Sequence, residues 1–180
     1  MEFVILGLLS LRAMTVYEIN KALERGVSLF YRASFGSINA AINKMINKGW
    51  IEMEEKIENG RNKKIYHLKI KGQQAFREWL SSEIETEKVK EPALTRLYFM
   101  GFSSEIERIR VLEEHVSKIH EKLDTLELIK NQSAGLQAPE GMEEVQNFQR
   151  LTLDYGIAFY KFKITWFQTL IKSLRNENKL

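Results

Sequence analysis

Between Ser34 and Tyr66 an amphipathic segment of helical period runs directly into a tight β-hairpin, a succession that few folds accommodate. Within residues 34–48, Ile38, Ile42, Met45 and Ile46 fall on one stripe at three- and four-residue spacing. The opposite stripe carries Ser37, Asn39, Ala40, Asn43, Lys44 and Asn47, which are small, amide or cationic, with no carboxylate among them. A solvated helix face normally mixes both signs of charge, whereas amides, small residues and lysine suit base edges and phosphates. Ser34 is the expected N-cap, and Gly49 closes the helix. Two short strands follow at 51–57 and 63–68, joined through Asn59-Gly60, a strong tight-turn pair. The hairpin tip and its return carry Arg61, Asn62, Lys63 and Lys64. Helix, hairpin and basic tip in this order describe a winged helix-turn-helix.

Charge supports this placement more than it suggests it. The net charge is +3 over 180 residues, which is modest. Residues 1–72 hold 12 Lys/Arg against 7 acidic residues, while 73–180 hold 15 against 17. The positive excess therefore coincides with the winged motif, as an electrostatic footprint on DNA would. There is no cysteine, hence no disulfide, thiolate metal site or cysteine nucleophile, in keeping with an expected cytoplasmic location. The apolar run at 3–9 is far shorter than the roughly 20 residues that span a bilayer. It reads as a buried first helix, with no basic leader or cleavage site to suggest a signal peptide and no membrane partner expected.

The remaining pattern is mainly helical. The first helix covers 1–11 and the second about 16–25, capped by Thr15 and ended by Gly26, with a polar-aromatic passage at 28–32. Tyr66, Leu68 and Ile70 alternate and should face the core from the second strand. A helix from about Lys71 directs Ala75, Phe76, Trp79, Leu80 and Ile84 inward. Residues 83–91 are charged and linker-like, and Pro92 opens a short helix reaching Met100, dividing the chain into domains 1–90 and 91–180. Ser104-x-x-Glu107 is a capping box. Beyond it Ile109, Leu112, Val116, Ile119, Leu123 and Leu126 are spaced 3, 4, 3, 4 and 3, a heptad seam. After a loop at 131–141, a last helix over about 142–175 presents Phe148, Leu151, Tyr155, Phe159, Phe162, Trp166 and Leu170, widened by Tyr160, Phe167 and Ile171.

Two long helices with this much apolar surface cannot cover one another completely, and a second copy of the chain is the natural partner. Ile109, Leu112, Val116, Ile119, Leu123, Phe159, Phe162 and Trp166 are the expected dimerisation residues. The aromatic stripe would also suit a small hydrophobic or aromatic effector, although core or interface is its commoner use. His67, His115 and His120 lack metal-ligand spacing, and Glu54-Glu55 point to opposite faces of a strand. No catalytic triad, phosphate loop or nucleotide fingerprint is present, so neither an enzyme nor a cofactor or metal is expected.

Ile5-Leu6-Gly7-Leu8-Leu9, Tyr17-Glu18-Ile19, Gly36-Ser37-Ile38 with Ala41, Gly49-Trp50-Ile51-Glu52 and Arg61 through Tyr66 occur in the order found in one bacterial family. With Leu94-Thr95-Arg96-Leu97-Tyr98-Phe99 and a tryptophan-bearing last helix, the chain resembles the PadR family of transcriptional regulators, in its longer form. The resemblance implies a homodimeric repressor with winged domains on double-stranded DNA and C-terminal helices exchanged between subunits. Some members answer to phenolic acids or hydrophobic drugs. The expected DNA-contacting residues are Tyr17, Ser34, Ser37, Asn39, Asn43, Lys44, Arg61, Asn62, Lys63 and Lys64. Two positions depart from the family: Asn39 stands where a tyrosine is usual, and Ile70 where a threonine-type cap is usual.

Overall fold

The computed structural model describes residues 1–25, 34–58, 61–84, 86 and 91–176, without the side chains of Arg25, Glu58 and Arg61. The chain forms two compact units, Met1–Glu87 and Lys88–Leu180. The first contains α1 (Glu2–Leu11), α2 (Val16–Arg25), α3 (Phe35–Asn47), β1 (Ile51–Glu58), β2 (Arg61–Leu68) and α4 (Ile70–Ser81). The second contains α5 (Pro92–Phe99), a 3-10 turn, α6 (Glu105–Ser133) and α7 (Glu143–Asn176). Gly26, the passage at 28–32 and the Asn59-Gly60 turn lie outside the described residues.

The first unit is built around α1, whose Ile5 and Leu6 are completely buried. Ile19 and Leu23 of α2 and Ile38, Ala41, Ile42 and Met45 of α3 close over them. Each large side chain removed from water in this way contributes about 1.5–3 kcal/mol before entropy is counted. Ile46, expected on the same stripe, lies at its margin and is 37% exposed. The small Ala41 takes the buried position instead, where α3 approaches its neighbours closely.

β1 and β2 pair antiparallel from Ile51 opposite Leu68 to Glu58 opposite Arg61, one residue longer at the β1 end and two longer at the β2 start than the sequence pattern indicates. Met14 adds a bridge on the far side of β2, its N–H donating to the Tyr66 carbonyl at 3.3 Å and its carbonyl accepting from Tyr66 N–H at 2.9 Å. This anchors the wing to the start of α2. Tyr66 is buried and Leu68 half-buried, but Ile70 is exposed and begins α4 rather than ending the strand. The ladder runs out where Ile51 has its last partner, and Lys69 N–H turns back to the Trp50 carbonyl at 2.9 Å.

In α4, Ala75 and Phe76 are half-buried, and Trp79 stacks on Phe3 of α1 with centroids 5.1 Å apart. Trp79 nevertheless stays 44% exposed, and Leu80 and Ile84 are exposed too, because α4 stops at Ser81 and its inward face is taken by Ala75 and Phe76.

In the second unit α6 lies along α7. Ser104 opens α6 as expected, accepting from Glu107 N–H while the Glu107 carboxylate accepts from Ser104 N–H at 3.1 Å. Leu112, Val116, Ile119, Leu123 and Leu126 are buried in the hairpin against the buried Ile157, Ile164, Phe167 and Ile171 of α7. Phe148, Leu151, Tyr155, Phe159, Phe162 and Trp166, the apolar stripe that α7 presents, are exposed in the protomer. The seam is made by isoleucines repeating every seven residues, which keep a straight contact line along a partner helix. The bulkier aromatic stripe is left on the outer side.

Candidate nucleic-acid interface

The exposed side of α3 faces into a concavity of about 1230 Å3, bounded by the start of α2 and by the wing. Its lining includes Arg12 and Tyr17, then Phe35, Asn39 and Asn43 of α3, and Lys56, Lys63 and Lys64 of the wing. The fold thus brings together Tyr17, Asn39, Asn43, Lys63 and Lys64 from the sequence-derived set. Asn62 is exposed on β2 and donates to Glu55 at 3.3 Å, while the Arg61 side chain lies outside the described residues.

Ser34 and Ser37 are committed to local structure. Ser34 Oγ accepts from Ser37 N–H at 3.2 Å, and Ser37 Oγ accepts from Ser34 N–H at 2.9 Å, a reciprocal cap on the first turn of α3. Asn39 Nδ2 donates to the Phe35 carbonyl at 3.1 Å, so its amide is turned back onto its own helix. Asn43 is exposed in the concavity. Lys44 does not line that concavity: its Nζ lies 2.7 Å from a carboxylate oxygen of Glu2 on α1. At 100° per residue Lys44 is about 100° further round the helix than Asn43, which carries it to the opposite edge.

The start of α2 is held by a second capping box. Glu18 accepts from Thr15 N–H at 2.8 Å and from Thr15 Oγ1 at 2.9 Å, and Arg12 donates to its other oxygen at 2.8 Å. The Thr15 backbone bond, followed by Arg12, pulls the Glu18 carboxyl down to about 2. That carboxylate is therefore charged at every physiological pH.

Lys56, which the sequence reading passed over, stands directly opposite Lys63 in the β ladder. The pair puts two cations side by side on one face of the hairpin. The pair could have been found from Asn59-Gly60, since a two-residue turn fixes 58 opposite 61 and hence 56 opposite 63. Lys64 also borders the concavity, although it alternates to the other face of the hairpin from Lys63, and its Nζ lies 3.7 Å from Glu55. Glu54 and His67, 2.9 Å apart, also border the concavity and temper its positive charge.

The dimerisation residues divide into two groups. Leu112, Val116, Ile119 and Leu123 are buried between α6 and α7 of the same chain, with Ile109 half-buried at the start of that seam. They are hairpin core, already covered, and so are not surface for a second copy. Phe159, Phe162 and Trp166 lie on the exposed side of α7. The concavity of about 570 Å3 on this unit is lined by Glu113, Val116, Ser117, His120, Gln168, Ile171, Lys172 and Arg175, none of them in the aromatic stripe. Among the described residues there is no cluster of His, Cys, Asp and Glu suited to a metal, and no helix is long and apolar enough to cross a membrane.

Two family models match the chain: the transcriptional regulator PadR-like family over residues 5–78, and the virulence activator alpha C-terminal region over residues 89–175. The negative transcriptional regulator PadR of Bacillus subtilis is 22% identical over 173 residues, covering 95% of each chain. The crystal structure of that Bacillus subtilis protein in complex with operator DNA superposes with a TM-score of 0.85 at 22% identity, covering 96% of this chain and 98% of that one. Its complex with p-coumaric acid gives 0.78 at 21% identity, covering 97% and 94%. The Vibrio cholerae virulence activator AphA gives 0.75 at 22% identity, with 98% of both chains covered. With both halves matched in order and the winged unit built as described above, the chain belongs to the PadR-like family of transcriptional regulators.

Proposed function

We propose that this chain is a homodimeric, sequence-specific repressor that lays α3 in the major groove of a pseudo-palindromic operator, with the wing along the neighbouring backbone. The observation that carries this is the concavity shared by α3 and the wing, where exposed amides adjoin the facing lysines Lys56 and Lys63. Amides suit adenine edges, and lysines on the hairpin suit phosphates, which give affinity and register without reading sequence. The Bacillus subtilis relative solved with operator DNA supports the same use. A two-fold dimer would place its half-sites one helical turn apart or a multiple of it, about 34–36 Å per turn.

Dimerisation is proposed through α7. Its outer side exposes Phe148, Leu151, Tyr155, Phe159, Phe162 and Trp166 along one helix. Soluble monomers rarely leave so long an apolar strip to water, and closed two-fold pairing is the commonest way to bury one.

Titrating the protein with fragments of its own upstream region at two salt concentrations tests this reading. Roughly 6–10 phosphate contacts per dimer would make log affinity fall with log salt at a slope of about −5 to −9. Asn43→Ala should relax preference at one base pair per half-site by about 1–3 kcal/mol. Lys63→Gln with Lys64→Gln should weaken all sequences alike and flatten the salt slope. Uniform losses in both variants would refute this division of roles. A reporter fused to the bound promoter separates repression from activation, the role named for the Vibrio cholerae relative.

A further inference from the structure

The edge of α3 away from the wing carries an arrangement that the DNA-binding set leaves unexplained. Glu2 of α1 holds two lysines at once: Lys44 Nζ lies 2.7 Å from one carboxylate oxygen and Lys48 Nζ lies 2.7 Å from the other. The Glu2 side chain is mostly buried, whereas those of Lys44 and Lys48 stay 61% and 38% exposed. Lys48 Nζ also sits 4.1 Å from the centroid of the Trp50 ring, which fixes its direction. Burial alone would raise the Glu2 carboxyl; the hydrogen bonds and charges of Lys44 and Lys48 outweigh it and hold the group below the ordinary carboxylate range.

A helix about 10–12 Å across fills a major groove about 12 Å wide, so backbone phosphates flank both of its edges. On one edge Phe35, Asn39 and Asn43 adjoin the wing and its lysines. On the other edge the cations are Lys44 and Lys48, and the anion they hold is a carboxylate with two oxygens, like the non-bridging oxygen pair of a backbone phosphate.

We propose that Lys44 and Lys48 form a second backbone-phosphate site and that Glu2 is its built-in competitor, an intramolecular carboxylate that must share both lysines when duplex DNA docks. This deepens the DNA-binding reading above and rests on it. Glu2 lowers affinity for every duplex by a similar factor, leaving discrimination to the amides of α3. It thereby weakens non-specific binding without touching base readout.

The test measures full-length wild type, Glu2→Gln, Lys44→Gln/Lys48→Gln and the triple variant on a random-sequence duplex and on the chain's own upstream region, across a salt series. Helix content and thermal midpoint are followed for each. Glu2→Gln should tighten binding to both duplexes about threefold to tenfold at low salt and steepen the salt slope by up to about two per protomer. The double lysine variant should flatten the slope, and the triple variant should match it rather than Glu2→Gln. Unchanged affinity and slope in Glu2→Gln, with wild type bound normally, would overturn the competitor alone. An unchanged slope in the double lysine variant would overturn the phosphate site even if Glu2→Gln failed to fold. Absence of binding by wild type at low salt would remove the DNA-binding reading, and this inference with it.

Discussion

His115 on α6 meets Phe167 of α7 edge-on, with centroids 4.9 Å apart, and among the described residues its buried Nε2 has no hydrogen-bond partner. Burial first, then the charges of Lys163 and Lys118, push the imidazole below its ordinary value, with Glu91 opposing them. A histidine depressed in the folded chain stays neutral where the unfolded chain has begun to take up protons. Stability is then undiminished above the ordinary value near 6.5 and falls as pH drops below it. Urea denaturation between about pH 8 and 5 should show this decline, and His115→Gln should flatten it. Glu18 behaves as the carboxylate counterpart: with its value depressed to about 2, its cap contributes fully above the ordinary carboxylate range and is lost progressively as pH falls from that range to about 2.

At the scale of elements, the tightest constraint falls between α4 and the start of β1. A Cβ on Gly72 would lie 2.2 Å from the Trp50 carbonyl oxygen, the same oxygen that accepts from Lys69 N–H. Neither backbone can yield without breaking that bond. Gly72→Ala should therefore cost about 2–4 kcal/mol in urea denaturation. Gly36→Ala in α3 meets nothing closer than 4.0 Å and should be neutral or stabilise by up to about 1 kcal/mol. Gly49, with φ at +68°, has a different task, turning the chain from α3 into β1 in a conformation that side chains with a Cβ resist. The wing is likewise secured from outside its own strands, by the bridge between Met14 and Tyr66. A hairpin of two strands is marginal alone, and this third contact ties it to α2.

For the molecule as a whole, the two sides of α7 carry different work. Ile157, Ile164 and Ile171 close the hairpin with α6, while Phe159, Phe162 and Trp166 face away from it. Phe162→Glu should leave the hairpin folded, since the side chain is exposed in the protomer. It should shift the protein from dimer to monomer in sedimentation and weaken operator binding, because each winged unit then binds without its tethered twin. Ile119→Glu, which places a charge in the buried seam, should instead unfold the second unit. A Phe162→Glu variant that sediments as a dimer would show that α7 is not the interface.

Sequence alone determined the elements and their order in the winged unit. Periodicity marked α3, Asn59-Gly60 marked the hairpin, and Ser104-x-x-Glu107 marked the start of α6, because each signal is local and acts within a few residues. The amide-rich side of α3 was visible for the same reason. Tertiary structure decided what distance along the chain conceals. Lys44 turned out to face Glu2, some forty residues earlier, and the most aromatic stripe of α7 proved to be its outer side. Local pattern says which residues share a face; only packing says which neighbour, apolar helix, carboxylate or solvent, that face receives.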